Sequence, residues 1–309
     1  MAATRVVAIL GLAFLAACAG KDAAAPPEAA VPAAAKAEPP TREQLLSATV
    51  SGVLPETVTL SNGRHDGPPA QAGAASRTSL VLMEPTVLFG DVDGQPPSEA
   101  VALLVANTGG SGEFVHVGVF AMRDGKAQTI ATAPVGDRVK VFRTWLERDK
   151  LHMDVVEARP DDPACCPTQL TRKAFGWQDG TLAMLENAPV GYMSIHMLAA
   201  TDWMLVEMDG QPLPQGLMPP TALIQYGKIT GFAGCNRYTG PLAEPEAGKL
   251  DVGEVAATKK ACEGPANDLE ARFLERLGKV DAYTFQAGRL VLSGPPLAQG
   301  APATLVFSR

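Results

Sequence analysis

Short apolar runs separated by turn-forming residues dominate the sequence from residue 41 to residue 187. The runs 114–122, 139–146 and 151–156 predict strands paired as antiparallel hairpins. Only 41–50 predicts a short helix, and 62–76, which is rich in Gly, Pro and Ala, predicts a long surface loop. The turn signals between the runs are Asn62-Gly63, Asp124-Gly125, Asp137, Asp149-Lys150 and Asp179-Gly180. We interpret 41–187 as a β-rich module of unknown function.

The apolar pattern takes a helical period in one segment of the C-terminal third. In 266–280, Leu269, Phe273 and Leu277 recur at helical spacing, with charged residues largely on the other face. Three later pairs alternate with smaller or more polar neighbours, as in strands with one buried face. These pairs are Tyr283 and Phe285, Leu290 and Leu292, and Leu305 and Phe307. The predicted fold class is α+β or mainly β, with two modules, the second a curved antiparallel sheet packed around a single helix.

An apolar stretch near the N-terminus predicts export. Residues 6–17 follow Arg5 and are fewer than the roughly 18 residues that cross a bilayer. They end at Leu15-Ala16-Ala17-Cys18, which resembles the lipobox of bacterial lipoproteins. The resemblance implies a signal peptide over 1–17 and lipid on Cys18, and the alternative is an ordinary secretory signal with an accidental cysteine. Ala19 in place of aspartate implies sorting to the outer membrane, facing the periplasm.

Composition adds a tether and argues against one class of partner. Residues 18–40 are mostly Ala, Pro, Lys and Glu, which predicts a disordered tether between lipid and folded modules. The formal net charge is -7, with 26 basic and 33 acidic residues. Neither half of the chain has the basic surplus that binding to nucleic-acid phosphates requires.

The residues after 198 resemble a known family. Residues 231–240 read GFAGCNRYTG and 258–262 read TKKAC. This Gly-Cys-Asn-Arg-Tyr core followed by Thr-x-x-x-Cys resembles the META domain family, which includes the heat-shock protein HslJ, and the resemblance covers 198–309. It implies a sheet curled around one helix, a role in the stress response, and a fold similar to the pilotin lipoproteins that escort secretion pores. In the first half, 136–138 and 165–167 resemble an uncharacterised module of other bacterial lipoproteins.

Four cysteines remain besides Cys18: Cys165, Cys166, Cys235 and Cys262. In an exported protein an even number favours disulfides over redox catalysis. Because Cys235 and Cys262 lie in one small domain, we expect them to pair, and two buried thiols are the alternative. A vicinal disulfide between Cys165 and Cys166 is preferred if that site is oxidised, against two thiols or links to other cysteines.

Candidate catalytic or metal residues are sparse. The sequence has no Gly-x-Ser-x-Gly elbow and no His-Glu-x-x-His motif, and none of its four histidines lies in 197–309. Asp91, Asp93 and Glu99 have a spacing that calcium loops use. Gln95 and Pro96 stand where such a loop needs a charge and a glycine, so a polar connecting loop is favoured. No metal site and no cofactor are expected.

A binding surface at Asn236, Arg237 and Tyr238 is one interpretation of the most specific motif. These residues follow a glycine-rich bend and combine a charge with an aromatic ring. The favoured alternative is structural, because asparagine tolerates turns and tyrosine covers cores.

Two functional hypotheses follow. The first is a non-enzymatic envelope lipoprotein that is held to a membrane by lipid and binds an envelope protein or a small apolar ligand, as a binding or stress-tolerance module. The second is a hydrolase or other enzyme with its site in 42–196. The side chains considered for that site are His116, His152, Asp137 and Asp154.

Overall fold

The computed structural model describes residues 38–69, 76–163, 166–262, 264–296 and 302–309, and these belong to one compact unit. The predicted signal peptide, the predicted lipidation site Cys18 and residues 19–37 of the predicted tether lie outside the described residues. Within the described chain, no helix is both long enough and apolar enough to cross a membrane.

The first part of the described chain is built mainly of β-strands. Helix α1 spans Arg42–Leu45 and starts with a capping box, because Thr41 and Gln44 each accept the other's backbone N–H. The described strands of this part are β1 (Thr49–Val50), β2 (Val58–Thr59), β3 (Arg64–Pro69), β4 (Arg77–Gly90), β5 (Glu99–Thr108), β6 (Phe114–Arg123), β7 (Lys126–Asp137), β8 (Lys140–Glu147), β9 (Lys150–Glu157), β10 (Gln169–Gln178) and β11 (Thr181–Tyr192).

Strands β1 to β7 form one sheet in the order β2-β1-β7-β6-β5-β4-β3. Asp124 and Gly125 join β6 to β7 with φ angles of 51° and 73°, as a tight type I′ hairpin requires. Strand β5 is buried on both faces because an apolar cluster covers each side. The cluster on one side includes Leu45 of α1, and the cluster on the other includes Phe175 of the second sheet.

Strands β8 to β11 form a second, antiparallel sheet in the order β11-β10-β9-β8. Its turn at Asp179 and Gly180 also has two positive φ angles, 50° and 79°. Val141, Met153 and Val155 face the first sheet and belong to the shared apolar cluster. Since side chains alternate along a strand, Asp154 lies on the opposite, outer face.

The C-terminal part forms a third sheet, which curls around one helix. A 3₁₀ helix, Ile195–Leu198, precedes it. The further elements are β12 (Trp203–Met208), β13 (Gln211–Pro212), β14 (Thr221–Gln225), β15 (Lys228–Phe232), β16 (Arg237–Ala243), β17 (Asp251–Val252), β18 (Ala256–Ala257), α2 (Gly264–Leu277), β19 (Ala282–Gln286), β20 (Arg289–Pro296) and β21 (Pro302–Ser308). The strand order is β17-β16-β15-β14-β12-β21-β20-β19, with β13 beside β12 and β18 beside β16.

Helix α2 supplies the apolar centre of this part. Leu269, Phe273 and Leu277 are buried, as their helical spacing predicted. The Phe273 ring packs edge-on against Tyr238, with ring centroids 5.4 Å apart, and against Phe307 at 6.5 Å. The predicted fold class, mainly β with a curved antiparallel sheet around one helix, is confirmed.

The structure differs from the sequence prediction in three places. The predicted surface loop 62–76 contains strand β3, which pairs with β4 at the sheet edge, because backbone pairing overrides a composition rich in glycine and proline. The predicted helix 41–50 ends at Leu45, because Thr49 and Val50 pair with β2 instead. Strand β11 runs past residue 187 to Tyr192.

The third sheet packs against the second through Phe142. This side chain belongs to the same apolar cluster as the α2 core, and its ring lies 4.7 Å from that of Phe285. The Gly288 N–H donates to the Val141 carbonyl at 3.0 Å, and the Arg309 guanidinium donates to the Phe142 carbonyl at 2.6 Å. These contacts place the β19–β20 turn and the end of β21 directly against β8.

Candidate functional site

An open cleft of about 1030 Å³ lies on the outer side of the third sheet. Met204 lies between the buried residues Trp203 and Leu205, so its side chain points away from the α2 core. The walls come from β12, β14, β15, β16 and the segment before α2. The lining residues are Asp202, Met204, Met218, Pro219, Thr221, Ala222, Leu223, Thr230, Gly231, Phe232, Cys235, Asn236, Arg237, Tyr238, Thr258 and Lys260.

Asn236 is a buried structural junction in the wall of this cleft. Its Oδ1 accepts the Thr258 hydroxyl at 2.7 Å and the Lys260 N–H at 2.8 Å. Its Nδ2 donates to the Lys260 carbonyl and to Glu270 of α2, both at 3.1 Å, and its backbone N–H donates to Glu270 at 2.6 Å. The side chain therefore ties the glycine-rich bend to the segment 258–260 and to α2.

Tyr238 also has a structural role in this domain. Its hydroxyl donates to the Thr221 carbonyl at 2.9 Å, and burial raises the pKa of Tyr238 above its usual value. Gly231 sits beside this contact, where a Cβ would lie 2.0 Å from the same carbonyl oxygen. Only glycine allows β14 and β15 to approach so closely here.

Arg237 is the exposed member of the predicted trio. Among the described residues its side chain makes no ion pair, while its backbone N–H donates to Thr258 at 3.3 Å. The structure thus brings all three residues to one cleft, with Asn236 and Tyr238 as its framework and Arg237 at its mouth.

Sequence reasoning did not identify the apolar residues of the cleft. Met218 is 68% exposed and Met204 is 43% exposed, so each presents a large apolar surface to solvent. Phe232 and Leu223 are partly buried beside them, and Lys260 adds a second positive charge. Met204 was the sequence feature that could have indicated an apolar surface here. It is an apolar residue at an outward position of a strand whose inward neighbours are also apolar.

Cys235 and Cys262 form a disulfide, with Cα atoms 6.1 Å apart, which confirms the predicted pairing. It joins the glycine-rich bend to the segment just before α2, and the Asn236 amide lies 3.2 Å from the Cys235 sulfur. Cys166 is exposed and disulfide-bonded. Cys165 lies outside the described residues, so the vicinal pairing stays a prediction.

The acidic residues Asp91, Asp93 and Glu99 come together in one loop, with carboxylate oxygens within 4.8 Å of one another. Asp91 and Asp93 each accept a backbone N–H of the same loop, at 2.7 and 2.8 Å. Glu99 is buried and accepts the Val92 N–H at 2.9 Å. Burial raises the pKa of Glu99, and the charges of Asp93 and Asp91 add to the increase. The hydrogen bonds are those of a self-supported polar loop, and they assign no metal.

The four residues considered for an enzyme site are held by other partners. His116 lies 3.2 Å from the carbonyl of Phe114, and burial lowers its pKa. His152 stacks on Trp145 with centroids 5.3 Å apart. Asp137 pairs with the adjacent arginine, and Asp154 with two arginines. In the described chain, no hydrogen bond or ion pair joins any two of the four.

Comparison with known proteins identifies one region. The family model of the META domain matches residues 196–308. An NMR structure of a protein from Burkholderia xenovorans is 29% identical, over 37% of this chain and 85% of that chain, with a TM-score of 0.30. A second NMR structure is 24% identical over 37% of this chain and 93% of that chain, with a TM-score of 0.31. No curated protein matches the chain. The residues that match the META domain model, 196–308, contain the cleft, the disulfide and helix α2.

Proposed function

We propose that this protein is a non-enzymatic lipoprotein of the cell envelope whose META domain holds another envelope component in the outer cleft. The observation that carries the proposal is the combination of exposed apolar side chains with two cations. Met204 and Met218 supply the apolar surface, and Arg237 and Lys260 line the same cleft. This chemistry suits a small apolar ligand, or an apolar segment of an envelope protein, that carries a negative group.

The cleft is suited to binding because its flexible methionine side chains project from a backbone that is held in place. Methionine is unbranched and adapts its shape to apolar partners. Behind the methionines, the Cys235–Cys262 disulfide and the hydrogen bonds of Asn236 hold the bend in place. A wall that is already ordered reduces the entropy lost on binding.

The envelope location rests on the N-terminal sequence. The motif at Leu15-Ala16-Ala17-Cys18 and the Ala- and Pro-rich segment 18–40 describe a lipid anchor followed by a tether. Ala19 supports sorting to the outer membrane. A tethered META domain would meet envelope components at the membrane surface, where the proposed contribution to stress tolerance would arise.

Site-specific photo-crosslinking in cells tests the cleft. A photoreactive amino acid replaces Met218 in one variant and Tyr226 in the matched control, because Tyr226 is 91% exposed in the same domain but does not line the cleft. We expect a discrete crosslinked protein or lipid at position 218 and none at 226. Equal crosslinking at the two positions would refute a specific cleft.

A separate experiment tests the anchor. Metabolic labelling with a radioactive fatty acid should mark the wild type and leave Cys18→Ser unlabelled. Equal labelling of both proteins, or of neither, would remove the lipoprotein part of the proposal while leaving the cleft experiment intact.

A further inference from the structure

A second, smaller cavity lies where β8, the β19–β20 turn and the end of β21 meet. It is open to solvent and has a volume of about 270 Å³, which is small for a pocket that binds a drug-sized molecule. Its lining residues are Pro85, Arg143, Thr144, Ala287, Gly288, Arg289, Ser308 and Arg309. Three of these are arginines, and none is acidic.

Two of the three arginines are held in place by the fold. Arg143 donates to the buried carboxylate of Asp154 at 2.7 Å, and its guanidinium lies 5.0 Å from the Trp145 ring centre. Arg309 donates to the Phe142 carbonyl at 2.6 Å and lies 5.3 Å from the Trp203 ring centre. These contacts hold the two guanidinium groups in position. The side chains therefore lose less conformational entropy when a ligand binds.

Arg289 supplies a charge for which the described residues show no ion-pair partner. It opens β20 directly after the turn Ala287-Gly288, and it makes no hydrogen bond or ion pair with another described side chain. A neighbouring cavity that Arg289 also lines contains Glu84, Glu113 and Glu207, and none of these described glutamates forms an ion pair with Arg289. Across the described chain, the ion pairs of the three cavity arginines are limited to those of Arg143 with Asp154.

The positive charge of the cavity is only partly offset. Asp154 forms ion pairs with both Arg143 and Arg172, so one carboxylate is shared by two arginines. Burial lowers the pKa of Arg309, and the charge of Arg143 lowers it further. The hydroxyls of Thr144 and Ser308 add neutral hydrogen-bond donors to the lining.

We propose that Arg143, Arg289 and Arg309 form a binding site for a phosphate-type oxyanion, carried either by free phosphate or by a phosphorylated lipid headgroup. Guanidinium groups match the geometry of phosphate oxygens and form charge-assisted hydrogen bonds with them. The cavity accepts the anionic group alone, and a larger ligand would extend into solvent. This site is separate from the META cleft, and its test is independent of the photo-crosslinking.

Titration with sodium phosphate tests the site. The full chain carrying Cys18→Ser is used, so that no lipid anchor contributes, and sodium chloride at equal ionic strength controls for screening. Trp145 and Trp203 lie beside two of the arginines, so their fluorescence should change as phosphate binds. Arg289→Gln should weaken phosphate binding by at least about tenfold, because it removes one charge-assisted contact.

Two controls separate binding from folding. Arg272→Gln removes an exposed arginine of α2 that lines neither cavity, and it should bind phosphate like the parent protein. Arg289→Gln should unfold at the parent's temperature without phosphate and lose the rise that phosphate gives the parent.

Vesicles distinguish the two sources of phosphate. Phosphatidylcholine vesicles with phosphatidic acid are compared with pure phosphatidylcholine vesicles. Binding only to the former, lost in Arg289→Gln, assigns the site to a lipid phosphate, and saturable binding of free phosphate assigns it to the soluble ion. The proposal is overturned if neither probe binds, or if Arg289→Gln and its parent bind equally.

Discussion

Two buried carboxylates in the first part of the chain have almost the same exposure and opposite pKa shifts. Asp154 is 1% exposed and Glu99 is 2% exposed. Burial raises the pKa of both, but hydrogen bonds and charge from Arg172 and Arg143 outweigh it at Asp154, whose pKa lies below its usual value. Glu99 faces Asp93 and Asp91 instead, so its pKa is raised. At similar burial, the direction of a carboxylate's pKa shift therefore depends on the charges and hydrogen bonds of its neighbours.

Removing the charge of Asp154 should have the largest effect on this contrast. Asp154→Asn removes the charged carboxylate that Arg143 and Arg172 share. We expect a loss of about 2 kcal/mol in the free energy of unfolding at pH 7, between the values for exposed and buried pairs, because the arginines are 44% and 35% exposed. Urea unfolding of the variant and the wild type measures it.

The same variant gives a pH test with a definite sign. Because the folded pKa of Asp154 is lowered, its stabilisation is present above the unfolded pKa of about 3.9 and is lost as pH falls through the folded pKa. The difference between wild type and Asp154→Asn should therefore shrink at acid pH. A difference that stays constant from neutral to strongly acid pH would show that Asp154 acts through shape and not charge.

A smaller effect is expected from removing one of the two arginines. Arg172→Gln should cost about 1 kcal/mol, because Arg143 still pairs with Asp154. It should also move the acid loss of stability to higher pH, since one of the two groups that lower the pKa of Asp154 is gone. Arg123→Gln, at an exposed strand end, is the control and should change neither quantity.

Glu99→Gln should act in the opposite direction. Glutamine can still accept the Val92 N–H, but it carries no charge into the buried loop. We expect a gain of about 1 kcal/mol at pH 7. Because the folded pKa of Glu99 is raised, the wild-type penalty is absent below the unfolded pKa and grows as pH rises through the folded pKa, so the gain should vanish at acid pH.

Calcium provides the control for this variant. A calcium-dependent rise in wild-type stability that Glu99→Gln abolishes would mean that a bound cation keeps Glu99 ionised, and the contrast with Asp154 would then disappear.

The smallest effect is expected from Asp91→Asn. The amide oxygen can keep the hydrogen bond with the backbone N–H of Gly94, while one of the charges that raise the pKa of Glu99 is removed. Stability at pH 7 should change by less than about 0.5 kcal/mol. The folded pKa of Glu99 should fall, so the Glu99 penalty should reach its full size at a lower pH than in the wild type, and a shift to higher pH would contradict the assigned cause.

The sequence predicted several residues of the candidate site, but it did not predict what the site binds. The Gly-Cys-Asn-Arg-Tyr motif predicted the position of the bend. The disulfide between Cys235 and Cys262 was predicted because exported proteins favour disulfides and both cysteines lie in one small domain. The sequence favoured a structural role for Asn236 and Tyr238 over a binding surface, and in the structure hydrogen bonds join both side chains to neighbouring parts of the domain. Met218 and Lys260 are far apart in the sequence, and only the folded arrangement of strands and loops brings both into the cleft.

The sequence by itself determined the local features of this fold. Asp-Gly pairs fixed the hairpin turns, because they tolerate positive φ, and the spacing of Leu269, Phe273 and Leu277 fixed the buried face of α2. Only the tertiary structure decided the electrostatics. Arg143 and Arg172 reach Asp154 from two neighbouring strands, and Arg309 meets Arg143 because β21 ends against β8. Local geometry depends on residues adjacent in the chain, whereas the charge of a buried group depends on residues that are adjacent only after the sheets have packed.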